Sequence, residues 1–239
     1  TTPEGKALLR ERSPLTSDFL LQYNQAVKAS NWDEAITALN SIIRVEPTAA
    51  YAYYYIGDAY LFKNDPNSAI QAYDQGIQVD PKSGPMYVGL ARARLLADPN
   101  ANVLPLLDQA IQLDANFGDA YLERGIVKIR DNDIPGAIAD LGEANTRLPN
   151  NPLVFYNLAQ AHFKTGNYDL ALRAAQQANQ FDVTNLPDYL LLGQIYIQTG
   201  NNTEAIKALQ VYLKYAPNDV TASVSFGKLL FDIGEYDQS

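Results

Sequence analysis

Residues 50–83 read AYAYYYIGDAYLFKNDPNSAIQAYDQGIQVDPKS. Two apolar-periodic segments stand out, Ala50–Lys63 and Asn67–Asp80. Each runs for about 14 residues, too long for a strand and suited to a helix. Tyr53, Ile56 and Tyr60 fall about one helical turn apart on one face of the first segment. Gly57 and Ala69 are small enough to let two helix axes approach closely. Asn64-Asp65 between the segments are helix-ending and helix-starting types. Pro81 stops the second segment, because it has no N–H and clashes with the preceding turn. The stretch therefore predicts a helical hairpin.

The same hairpin recurs in phase. Rows of 34 residues begin at 16, 50, 84, 118, 152, 186 and 220, with no insertion or deletion between them. Place four reads Phe19, Tyr53, Tyr87, Tyr121, Phe155, Tyr189 and then Ser223. Place eight reads Tyr23, Gly57, Ala91, Gly125, Ala159, Gly193 and Gly227. Place twenty is Ala35, Ala69, Val103, Ala137, Ala171, Ala205 and Ser239, and place thirty-two is Pro47, Pro81, Ala115, Pro149, Val183 and Pro217. A single hairpin cannot bury both faces, so neighbours must stack.

These columns resemble the tetratricopeptide repeat (TPR) family over residues 16–239. The resemblance implies an all-α, right-handed solenoid of antiparallel helix pairs, with six full repeats and the first helix of a seventh. It places residues 1–15 as an N-terminal cap or the tail of a preceding repeat, with a helix candidate at Glu4–Arg12 closed by Pro14. The phrasing of residues 110–114, 167–172 and 202–206 (AIQLD, NYDLAL, NTEAI) resembles bacterial arrays. The chain opens on Thr1, and row seven stops at Ser239 where its second helix is due, which reads as a piece of a longer protein.

Composition narrows the function classes. Apolar residues make up 47%, enough for a continuous core, and there is no cysteine, so disulfides and thiolate metal sites are excluded. No apolar run approaches the length of a membrane span. A net charge of −9 argues against general nucleic-acid binding. None of this fixes the compartment.

The sequence predicts no enzyme: no catalytic, cofactor or metal residues are assigned. His162 is the only histidine, and it stands at place eleven, a packing column in the family. Carboxylates such as Asp33, Asp65, Asp80, Asp114 and Asp133 sit in turns and helix ends and read as caps. There is no Gly-rich phosphate loop, and Asn201-Asn202-Thr203 is a glycosylation tripeptide common by chance.

The resemblance implies that places two, five, nine, twelve and thirteen of each row face a concave groove. Place five (Leu20, Tyr54, Val88, Leu122, Tyr156, Leu190, Val224) and place twelve (Val27, Leu61, Leu95, Ile129, Phe163, Ile197, Phe231) are apolar throughout. Row two concentrates Tyr51, Tyr54, Tyr55 and Phe62, with Asp58 and the neighbouring Arg92 as polar partners. Tyr156 and Gln160 extend the same groove in row five. Tyrosine and arginine dominate binding hot spots. The expected function is a protein-interaction scaffold that holds a peptide or partner surface. The alternatives are self-assembly through a terminal helix carrying Phe226, Leu229, Leu230 and Phe231, and a regulatory or tethering part of a longer enzyme or secretion protein. One TPR subgroup grips chaperone C-terminal carboxylates, but the corresponding residues here, Leu20, Asn24, Tyr55, Pro85 and Gly89, match it only at Asn24.

Rows three to five depart from the pattern. Arg94, Lys128 and His162 follow one another at place eleven, and Arg124 replaces an apolar residue at place seven. Buried charge demands partners, so an ion-pair ladder is expected. The sharper alternative is an anion site to which Arg92 and Arg130 contribute. Pro105 falls inside the second helix of row three and predicts a late start near Val103 or Leu104.

Overall fold

The computed structural model describes residues 14–232 and Gly234. Among them are thirteen α-helices and no strand. In chain order these are α1 (Pro14–Lys28), α2 (Trp32–Val45), α3 (Ala50–Phe62), α4 (Pro66–Val79), α5 (Gly84–Ala97), α6 (Leu104–Leu113) and α7 (Gly118–Arg130). They continue with α8 (Ile134–Arg147), α9 (Pro152–Lys164), α10 (Tyr168–Phe181), α11 (Leu186–Gln198), α12 (Asn202–Tyr215) and α13 (Val220–Asp232). The helix candidate at Glu4–Arg12 lies outside the described residues.

The chain divides into two compact units, Thr1–Ala120 and Tyr121–Ser239. In the first, each helix from α1 to α5 packs on the next one in sequence, and α3 also reaches α5. In the second, the same holds from α8 to α12, and α9 reaches α11. Leu122 and Ile129 of α7 join Ile134, Leu141 and Val154 in one apolar cluster. Both units are therefore runs of helix hairpins in which each hairpin buries its neighbour's face.

The hairpin turns share one device. The residue at place fifteen is left-handed in most rows: Ser30, Asn64, Asn132, Gly166 and Gly200 have φ between 53° and 75°. That conformation lets the next N–H reach back to the carbonyl at place eleven, as in Asp65 to Tyr60 at 2.9 Å and Asn167 to His162 at 3.0 Å. Asp65 and Asp133 then cap α4 and α8, accepting from Ser68 N and Gly136 N. Row three lacks the device. Asp98 is extended (φ −142°), so the chain runs on and α6 starts only at Leu104, with Pro105 in its first turn. The expected late start is what the structure shows.

In most hairpins a small residue receives a large one; row one instead carries Tyr23 at the small place, and row five carries Ala175 at the large one. A Cβ built on Gly125 would lie 2.7 Å from Leu141, and one on Gly193 would lie 2.8 Å from Leu209. In row two the large partner is Tyr73, fully buried on α4, where other rows have Leu39, Leu107, Leu141 and Leu209. Its ring is wedged between two glycines: a Cβ on Gly57 would lie 2.5 Å from it, and one on Gly89 would lie 2.4 Å away.

The expected basic ladder forms only in part. Arg124 and Lys128 converge on Asp140, at 2.6 and 2.8 Å, and the Asp140 side chain is only 6% exposed. Burial pushes the Asp140 carboxyl up, but the hydrogen bonds from Arg124 and Lys128 outweigh it and hold it below the usual range. Arg94 departs from the expectation: it is exposed and makes no ion pair among the described residues. The physical reason is that row three carries Leu106 in the column where row four carries Asp140, so α6 offers no carboxylate there. His162 is half-buried, its Nδ1 has no hydrogen-bond partner, and burial lowers its pKa and keeps the ring neutral.

A second buried carboxylate was not singled out by the sequence. Asp188 is 0% exposed in a column that holds the exposed Asp18 in row one and Ala52, Met86, Ala120, Val154 and Ala222, all five buried, in the other rows. Its Oδ1 accepts from Asn185 Nδ2 at 2.7 Å, and its Oδ2 has no hydrogen-bond partner. Burial pushes its pKa up to about 6, against the pull of the Asn185 bond.

Five variants test this packing through their stability. Gly57→Ala is expected to cost about 1–3 kcal/mol in urea unfolding, because its methyl meets the Tyr73 ring. Gly227→Ala occupies the same column on α13 with nothing within 4 Å, and is expected to gain about 0.5–1 kcal/mol from helix propensity. Asp140→Asn is expected to cost about 3 kcal/mol by stranding two cations, whereas Arg94→Ala stays within about 0.5 kcal/mol of wild type. For Asp188 the folded state binds the proton more tightly than the unfolded state. Its contribution is therefore full below the ordinary carboxylate pKa and is lost as pH rises toward about 6. Asp188→Ala is expected to remove that slope and to raise stability at pH 7 by about 1–3 kcal/mol, read from melts of both chains across pH 4–7.

Candidate functional site

The three tyrosines of row two are brought together by helical spacing. Tyr51, Tyr54 and Tyr55 lie on α3 and line a cleft of about 400 Å³. The loop after α4 contributes Asp80 and Ser83, and α5 contributes Pro85, Met86, Val88 and Arg92. Phe117 and Asp119, before and within the first turn of α7, close it. Every lining residue belongs to the first unit. Tyr51 and Tyr54 are half-buried, and Tyr55 is 39% exposed.

The tyrosines continue into an aromatic chain. The ring centroids of Tyr23 and Tyr55 are 5.4 Å apart, those of Tyr54 and Tyr55 are 5.4 Å apart edge to face, and those of Tyr54 and Tyr73 are 6.0 Å apart. Asp58 anchors this chain from behind: Tyr73 Oη donates to its Oδ1 at 2.5 Å, and Tyr54 hydrogen-bonds to it as well. Burial pushes the Asp58 carboxyl up, while the Tyr73 and Tyr54 bonds and the Arg92 charge pull it down. Burial, then the Asp58 charge, raises the Tyr54 and Tyr73 phenols far above their ordinary value, so both remain hydrogen-bond donors. Arg92 NH2 stands 3.7 Å from Asp119 Oδ1, with the two side chains 39% and 41% exposed.

The other sequence candidates lie elsewhere. Phe62 is 68% exposed and stacks on Trp32 at 4.4 Å, at the turn end of its hairpin rather than in the cleft. Asp58 serves the interior more than the cleft surface. Tyr156 and Gln160 are in the second unit, where Gln160 Nε2 donates to Tyr156 Oη at 2.7 Å. Of the two arginines offered for an anion site, Arg92 faces Asp119 in the first unit, and Arg130 of the second unit grips Asp131 through two nitrogens, at 2.7 and 3.1 Å. Sequence reasoning missed Tyr73, Asp119 and Phe117. A signal for Tyr73 was present, because a tyrosine in a leucine column coincides with glycine at both Gly57 and Gly89.

Among the described residues no group of three or more acidic or histidine side chains could hold a metal ion, and no helix is long and apolar enough to cross a membrane.

Comparison with known proteins agrees with this architecture. The tetratricopeptide repeat family model matches residues 20–84 and 190–239, and the model for anaphase-promoting complex (cyclosome) subunit 3 matches residues 137–212. The small glutamine-rich tetratricopeptide repeat-containing protein 2 of Mycosarcoma maydis is 32% identical over 87 residues, which is 36% of this chain. The match spans only 25% of that relative's length. Among solved structures, the APC/C hetero-tetramer Cut9-Hcn1 superposes with a TM-score of 0.75 at 18% identity, over 90% of this chain and 43% of that one. The Pseudomonas aeruginosa pilF protein gives 0.77 at 14% identity, over 91% and 97% of the two chains. YrrB, described as a TPR protein with an unusual peptide-binding site, gives 0.53 at 18% identity, over 71% and 88%. At these identities the structures speak for the fold alone. With the 34-residue columns, the helix hairpins and the matching family models in hand, the chain belongs to the tetratricopeptide repeat family.

Proposed function

We propose that the chain is a non-enzymatic scaffold that binds a peptide segment or partner surface in the cleft between α3 and α5. TPR proteins generally serve protein–protein interaction, and the finer reading rests on one observation: three tyrosines of one helix line a single cleft with Arg92 at its wall. Tyrosine offers large apolar area with a hydrogen-bonding tip and loses little side-chain freedom when it binds. The cleft is of a size to take one or two side chains of an extended segment. The peptide-binding site described for YrrB shows that a neighbour of this fold can hold a peptide.

A second reading has its own observation. Of the residues the sequence offered on α13, Leu229 and Leu230 are buried against Ile206 and Leu209 and Phe226 is half-buried, which leaves Phe231 at 63% exposed, together with Val220 and Val224 at 73% and 65%. That face favours self-association through the last helix.

The two readings separate in one experiment. Peptides selected from a random display library on the wild-type chain are expected to lose at least about tenfold in affinity on Tyr51→Ala/Tyr55→Ala, since burying one aromatic side chain is worth about 1.5–3 kcal/mol. Phe231→Ser is expected to leave that binding unchanged. Binding indifferent to the tyrosine pair counts against the cleft. A concentration-dependent dimer in sedimentation, abolished by Phe231→Ser, favours self-association.

A further inference from the structure

We propose that the partner segment presents a cation to this cleft, a Lys or Arg side chain flanked by apolar residues; the inference rests on the cleft being the binding site. The walls carry Asp80 and Asp119, and Asp58 lies directly behind Tyr54, whereas Arg92 is the single cationic lining residue. The local balance is therefore negative, as is the chain as a whole at −9. An acidic ligand would meet one guanidinium and two lining carboxylates. A cationic ligand meets those carboxylates, with the Asp119 side chain 41% exposed and within reach of solvent.

The apolar part of the lining suits the same ligand. Tyrosine faces attract cations through their quadrupole. Pro85 and Phe117 offer apolar surface to the methylene stem of a long basic side chain. Arg92 already shows the arrangement from within, a guanidinium near Asp119 that also bears electrostatically on Asp58 and Tyr54. The incoming cation would share or take over the Asp119 contact. A net-acidic chain also draws a basic segment in from solution.

The test uses display libraries of capped nine-residue peptides whose central residue is fixed as Arg, Lys, Gln or Glu. The expected result is enrichment of the Arg and Lys arms on the wild-type chain. Binding of those peptides should weaken about threefold to tenfold on Asp119→Asn and tighten by a similar factor on Arg92→Gln. It should also weaken as salt rises. The gain on Arg92→Gln cannot come from a misfolded variant. Enrichment of the Glu arm, with affinity lost on Arg92→Gln, overturns the cationic inference and leaves the cleft in place. Enrichment of the Gln arm alone, with no salt dependence, does the same. Failure of every arm, or enrichment that survives Tyr51→Ala/Tyr55→Ala, overturns both readings.

Discussion

Packing a small residue against a large one between the two helices of a hairpin is the constraint on which the rest depends. In rows two, three, four and six the first helix supplies a glycine or alanine at place eight, and the second supplies a bulky side chain that fills the space. Gly125 with Leu141 and Gly193 with Leu209 show the ordinary version. Protein interiors are close-packed, so such a pair fixes the separation of the two axes to within tenths of an ångström. Because the pair recurs at the 34-residue period in rows two, three, four and six, those hairpins offer similar faces to their neighbours. Stability is then close to a sum of hairpins and nearest-neighbour interfaces.

Row two takes this constraint further and builds a site from it. Tyrosine replaces leucine at Tyr73, and the larger ring needs glycine on both sides, at Gly57 and Gly89. The buried hydroxyl must then find an acceptor, which is Asp58. Once Asp58 is in place, a half-buried carboxylate draws a hydrogen bond from Tyr54 and the charge of Arg92. The tyrosine cleft is thus the outer surface of an inner packing solution. Its rings are held by neighbours that are themselves fixed, which is the pre-organisation a binding surface needs.

Nearly all of the fold could be read from the sequence because the repeat columns encode helix period, axis separation and turn chemistry at once. The left-handed residues Ser30, Asn64 and Gly166 fall where the turn types were read, and Pro105 marked the late start of α6. The site was half legible. Tyr51, Tyr54, Tyr55 and Arg92 share one cleft because they follow helical spacing within neighbouring rows. Phe62 escaped because place thirteen lies at the turn end, where Trp32 from the previous hairpin was free to stack on it. Arg94 and Lys128 share a column yet differ in fate, because the second helix of row four carries an acid, Asp140, within reach, where that of row three carries Leu106. Asp188 was invisible as a buried group, since a carboxylate next to a helix start reads as a cap. Its column holds an exposed acid, Asp18, beside the buried Ala52, Met86 and Val154, so the column does not single it out either.

The central claim is that the tyrosine cleft of the first unit is where a partner segment sits. A crystal structure of the chain with a display-selected peptide tests this most directly. The account predicts peptide density against Tyr51, Tyr54 and Tyr55, with a side chain directed at Asp119. Density seated instead on Tyr156 and Gln160 of the second unit, or along Val220 and Val224 of α13, would contradict it.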